Sequence, residues 1–350
     1  MQAATVLPAP VSTVPQTPAY RDRSTGLVLF GVGQIILGLL AALLVPLAAL
    51  GAFFSRLAPG GRVHPTQLIV GMASYAIAAA VLIGLGIGSI RYRRWARALT
   101  LVISWYWLIV GVLITILLTA VLPLTMRAVM RMQQNTATEA PPAGFMAVIV
   151  TVIIVFAAFF LVVVPIAFVV FYGREDVAET CRHRDPVGRW TDRTPLPVLG
   201  ASVVFFIGAV YMLVVGVSTP LFPFFGRYLT GPAGAAAFLV LAALDLYLAF
   251  ALFRLRMAGW WIAIFTLPVR VLSMALTYAR ADLMQAYSKM GWSDAEIDRL
   301  NANPVLRSHA ILWWSLLTMI ILVFYLLWLK RYFKAPAAPS QAQPLPAELG

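Results

Sequence analysis

The chain has 350 residues, 61% of them hydrophobic and only 11% charged, with a mean hydropathy of +0.88. Soluble domains carry about 25% charged residues, so this composition excludes the two soluble domains that length alone would allow. The net charge of +13 does not indicate nucleic acid, because the arginines sit in short loops beside apolar runs and form no contiguous basic groove; it is read as a sidedness signal.

Residues 1–25 are rich in Pro, Ala and Thr and lack an apolar signal-peptide core. They are expected to be a disordered cytoplasmic tail, with the first membrane helix acting as an uncleaved insertion signal. A helix needs about 20 apolar residues to cross the hydrocarbon layer. Runs of that kind occur at 26–54, 67–90, 98–126, 145–172, 196–225, 231–253, 259–279 and 310–329. The pattern predicts an all-α membrane protein with eight transmembrane helices. They form two parallel four-helix repeats, 26–172 and 196–329, joined by a polar cytoplasmic linker at 173–195. Residues 330–350 form a second cytoplasmic tail.

Lys and Arg set the orientation. The tails and even-numbered loops hold sixteen of them, the odd-numbered loops nine, so both termini are expected in the cytoplasm. Trp95, Trp260, Trp261 and Trp328 at one interface, and Trp313 and Trp314 near the other, fit aromatic belts.

The repeat shows in paired signatures. Asp22-Arg23 precedes the first span and Asp192-Arg193 the fifth; a shift of 170 residues aligns Val28 with Val198, Leu29 with Leu199 and Gly38 with Gly208. Arg91-Tyr92-Arg93 closes the second span, as Arg254-Leu255-Arg256 closes the sixth. With four spans per unit the two halves share one orientation.

A charge inside a span is costly and is a functional candidate by default. Asp245 in the sixth span and Arg270 in the seventh are the one acid and the one base clearly inside. At 1.5 Å per residue, both fall about 13–15 Å from the cytoplasmic interface. A tight loop makes their helices antiparallel neighbours, so the two charges are expected to pair near the midplane. Pro268, two residues before Arg270, deprives the Ile264 carbonyl of its helical donor. Two readings stand: a clamp between two helices, or a substrate or proton site.

The linker reads GREDVAETCRHRDPVGRWTDRTP, with five Arg and five acids. Cys181, His183 and Asp185 alternate there, a weak metal signal, since structural zinc sites need four ligands and no second Cys or His pair exists. No metal or other cofactor is expected, and the linker is read as a salt-bridged connector packed through Trp190. In the last external loop, Ser293 and Glu296 form a capping box for a short helix ended by Asn301 and Pro304.

No hydrolase, zinc-protease, P-loop or dinucleotide motif is present. Gly84, Gly86 and Gly88 lie within a span and are read as close helix packing. The strong preference for Arg over Lys suggests a GC-rich genome and a bacterial inner membrane. The expected function is that of a non-enzymatic accessory or scaffold protein acting through binding. Its partner would be a membrane protein or a small-molecule or lipid ligand, within the lipid bilayer. The alternative is a small-molecule or lipid transporter with Asp245 and Arg270 at its site.

Overall fold

The computed structural model describes residues 21–57, 65–134, 143–289, 292, 297–298 and 310–333. Residues 1–20 and 334–350 of the expected tails, and Ser293, Glu296, Asn301 and Pro304, lie outside these residues; the described ends of the tails are ordered, with helix from Ser24 and up to Phe333. Among the described residues, eight helices are long and apolar enough to cross a membrane. The first four crossings are α1 (Ser24–Leu57), α2 (Pro65–Ile90), α3 (Arg94–Gln134) and a composite of α4 (Ala143–Ala158), a π-turn (Phe159–Val163) and α5 (Val164–Tyr172). A linker helix, α6 (Glu175–Arg184), and a 3-10 turn (Trp190–Arg193) follow. The second four crossings are α7 (Leu196–Ser218), α8 (Gly231–Phe253), α9 (Met257–Arg280) and, after the short α10 (Leu283–Lys289), α11 (Ala310–Phe333).

Within each half the first two helices lie against each other along most of their length, and the third packs on the fourth. Small residues permit the close pairing. A Cβ on Gly31 would meet the Gly86 carbonyl at 2.9 Å, and one on Gly38 the Ala79 carbonyl at 3.1 Å. Each half has its own core: Leu27, Leu101, Phe168 and Tyr172 in the first, Val198, Leu248, Trp260 and Leu326 in the second. A smaller apolar cluster of Ala98, Val102 and Leu199 joins α3 to α7.

Both helix pairs end in the same turn. Tyr92 and Leu255 have φ of 56° and 54°, left-handed values that glycine normally takes at a helix C-terminus. Around Tyr92, Arg93 N donates to Gly88 O and Tyr92 N to Ser89 O; around Leu255, Arg256 N donates to Ala251 O and Leu255 N to Leu252 O. This is the Schellman arrangement, repeated at a spacing of 163 residues. A bulky residue here costs about 1–2 kcal/mol. Packing of Tyr92 on the first core and Leu255 on the second offsets it. The following helix crosses at the same point in each half: a Cβ on Gly88 would stand 2.6 Å from Ala96 Cβ, and one on Gly259 the same distance from Ala251 Cβ.

The chain departs from a plain helical reading in three places. The fifth span was expected to reach 225, but α7 stops at Ser218 and a hairpin follows, β1 (Phe222–Phe224) and β2 (Arg227–Leu229). Pro220 and Pro223 cannot donate to a continuing helix, and Phe225 and Gly226 both have positive φ, as a tight hairpin turn requires. The hairpin docks on α9, where Ser273 Oγ and Thr277 Oγ1 accept from Phe225 N and Gly226 N, both at 3.1 Å. In the fourth span, Pro165 leaves the Leu161 carbonyl without a helical donor, and Val164 N donates five residues back to Phe159 O. That carbonyl abuts Gly111 of α3, where any Cβ would overlap it. Finally, Trp260 is no interfacial belt residue: it is 1% exposed, and its indole N–H donates to Leu326 O at 2.7 Å.

Candidate functional site

Asp245 of α8 and Arg270 of α9 meet in a two-pronged pair. Arg270 Nη2 donates to Asp245 Oδ1 at 2.6 Å and Nη1 to Oδ2 at 3.0 Å. Eight residues separate Asp245 from Phe253 at the end of α8, which is about 12 Å along the axis. The Asp245 side chain is 3% exposed and that of Arg270 21%. Gly208 of α7 leaves room for the carboxylate, since a Cβ there would approach Oδ2 to 3.4 Å. The pair neutralises itself, but Arg270 Nε is buried without a hydrogen-bond partner. Pro268 lies inside α9, which runs through it without a break.

The linker forms a clasp at the end of the bundle that carries the two Arg-rich turns. Asp185 accepts from Arg189 Nη2 at 2.8 Å and Nε at 3.1 Å, from Arg93 Nη1 at 3.3 Å and from Arg94 N at 3.4 Å. The hydrogen bonds from Arg189, more than the burial that opposes them, hold its carboxyl below the ordinary carboxylate range. Asp192 pairs with Arg94, Asp22 with Arg184, and Asp176 with Arg23. Thr194 Oγ1 donates to Phe253 O, and the Trp190 ring meets Phe253 edge-on, which ties the clasp to the second half. Cys181 faces the first core, where burial pushes its thiol up to about 11. His183 lies on the exposed side of α6. Among the described residues no three His, Cys, Asp or Glu side chains gather as metal ligands would.

Two further features join distant residues. The first is a buried polar chain through all four spans of the first half. Ser89 Oγ and Tyr172 OH are 2.6 Å apart, Tyr172 OH donates to Gln34 Oε1 at 3.5 Å, and Gln34 Nε2 donates to Thr100 Oγ1 at 3.2 Å. Each polar residue alone looks unremarkable in its span, so only the three-dimensional contact marks it.

The second feature is an open cavity, a groove of about 1470 Å³ between the halves, lined mainly by α2, α3, α7 and α8. It exceeds the ~300–1,000 Å³ of a drug-sized ligand site. Its wall is mainly aliphatic and aromatic, including Leu85, Ile103, Val203, Phe206 and Leu246. On α3 it extends from Trp95 to Ile114, about 28 Å at the helical rise, close to the ~30 Å of a bilayer's hydrocarbon core. Gly84 lines it, and a Cβ there would meet nothing within 4 Å. The three glycines read as close packing therefore divide: Gly86 and Gly88 pack against neighbouring helices, and Gly84 opens on the cavity. Neither Asp245 nor Arg270 contributes to the lining.

No protein-family model, curated protein or solved structure matches the chain.

Proposed function

We propose that this protein acts by binding, as a non-enzymatic accessory or scaffold protein of the membrane, and that its working surface is the cavity between its halves. The observation that carries this reading is the cavity itself: about 1470 Å³, walled by apolar side chains and running along membrane-spanning helices. Such a wall offers burial without chemistry, so its occupant is apolar over most of its length.

The same reading treats the halves as parallel repeats. The paired Asp-Arg and Arg-rich signatures support this, as do the two Schellman turns 163 residues apart and the glycine–alanine crossing that follows each. It places both termini in the cytoplasm of a bacterial inner membrane, on the strength of the Lys and Arg distribution. Asp245 and Arg270 act as a clamp that sets the pairing of α8 and α9.

Native mass spectrometry of the intact protein in mild detergent tests the proposal. A reproducible lipid or small-molecule adduct supports it; a bare protein, or one bound only to another polypeptide, removes the cavity as the working surface. A transporter with Asp245 and Arg270 at its site is the second reading. The observation in its favour is the unpartnered, buried Nε of Arg270.

A further inference from the structure

We infer that the cavity holds an acyl chain of an anionic phospholipid, whose phosphate is met by Arg254 at the rim. The inference deepens the binding reading above and rests on it. Phe250 and Phe253 line the cavity at the end of α8, and the Arg254 guanidinium lies over the Phe250 ring, 4.5 Å from its centroid. Stacked there, the guanidinium keeps its N–H edge free for the two-pronged hydrogen bonding that suits a phosphate. Arg254 is exposed, and among the described residues it makes no ion pair. The acids beside Trp190 in the chain are already engaged, Asp185 by Arg93 and Arg189 and Asp192 by Arg94. A fixed positive charge therefore stands at one end of an open apolar groove. Trp190 lines the same end, and its amphipathic ring suits the headgroup level.

Length and solvent fix the rest of the ligand. The groove runs about 22 Å along α7, from Leu199 to Val214, which suits an extended hydrocarbon chain. The medium around the helices is itself lipid, so a chain enters from the bilayer without crossing water. The charge at that end selects the headgroup, since one basic residue near anionic lipid favours it by about 1 kcal/mol, roughly fivefold.

The test uses the full-length protein, delipidated in mild detergent and offered equal amounts of dioleoyl phosphatidylglycerol and dioleoyl phosphatidylcholine. Retained lipid is read by native mass spectrometry. The wild type is expected to retain phosphatidylglycerol in roughly fivefold excess. Arg254→Gln should bring the ratio near parity while total lipid stays constant, and Arg254→Lys should restore most of the preference. Gly84→Phe, which projects a ring into open space, should lose both lipids. Val210→Phe, from α7, fills the same cavity and replaces Gly84→Phe should that variant unfold. An unchanged ratio in Arg254→Gln, or no preference in the wild type, overturns the headgroup assignment and leaves the cavity reading standing. Undiminished lipid in folded cavity-filling variants, or a wild type that retains none, overturns both.

Discussion

A carboxylate in the middle of an apolar helix persists only if something neutralises it. Arg270 does this for Asp245 through two hydrogen bonds, one to each oxygen. Removing one partner of such a pair strands the other, and the penalty in buried sites is about 3–5 kcal/mol. Asp245→Asn is therefore expected to lower the thermal midpoint in detergent sharply. Asp245→Leu combined with Arg270→Met should recover most of the loss, because the stranded charge is gone. An Asp245→Asn protein as stable as the wild type, with altered ligand retention, would favour the transport reading. The polar chain from Ser89 through Tyr172 and Gln34 to Thr100 also ties helices together, in the core of the first half, though not at the positions equivalent to Asp245 and Arg270. It does so with neutral groups.

At the scale of elements, close approach depends on missing side chains. The π-turn at Phe159–Val163 sets the Leu161 carbonyl, which Pro165 deprives of its i+4 donor, against Gly111 of α3. Gly111→Ala puts a methyl group into that carbonyl and is expected to cost about 1–3 kcal/mol, the range for overpacking. Gly51→Ala, on an exposed part of α1 with nothing within 4 Å of the new Cβ, should change stability by less than about 0.5 kcal/mol. Thermal midpoints in one detergent compare the two. The linker clasp carries a pH signature. The Asp185 carboxyl lies below its ordinary value because Arg189 hydrogen-bonds the ionised form. Its contribution is therefore full above the unfolded value of about 3.9 and is lost as pH falls through the lower folded value. The difference in thermal midpoint between wild type and Asp185→Asn should stay constant from pH 8 to about pH 4 and shrink only below that. A difference that already fades near pH 6 would show that another group governs the clasp.

For the whole molecule, the clasp, both Arg-rich turns, residues 21–23 and the end of α11 lie together at one end, tied by Arg23 to Asp176, Trp190 to Phe253 and Lys330 to Trp260. On the orientation proposed above from the excess of Lys and Arg, that end faces the cytoplasm. A fluorescent protein fused after Gly350 and expressed in bacteria should therefore fluoresce, and alkaline phosphatase at the same position should be inactive. The reverse pattern would invert the assignment. The open cavity belongs to this scale as well, because α2 and α3 supply one wall and α7 and α8 the other, and neither half forms it alone.

The sequence by itself determined the eight membrane-crossing helices, because the hydropathy of a long apolar run is a sum over neighbours in the chain. It also singled out Asp245 and Arg270, since a charge within such a run stands out without knowledge of any partner. The paired Arg-rich turns were legible for the same local reason, although the left-handed φ of Tyr92 and Leu255, with no glycine present, was not. Helix ends and breaks were less legible. Leu221 to Phe225 continues the apolar run of the span before it, so the hairpin was hidden until Phe225 and Gly226 were found bonded to α9. Only the tertiary structure decided that Trp260 turns inward, that Gly84 faces open space, and that Gln34, Ser89, Thr100 and Tyr172 meet. It alone decided that a cavity lies between the halves. Those properties depend on which faces of distant helices meet, and in an almost uniformly apolar chain hydropathy does not distinguish a face turned to lipid from one turned to protein.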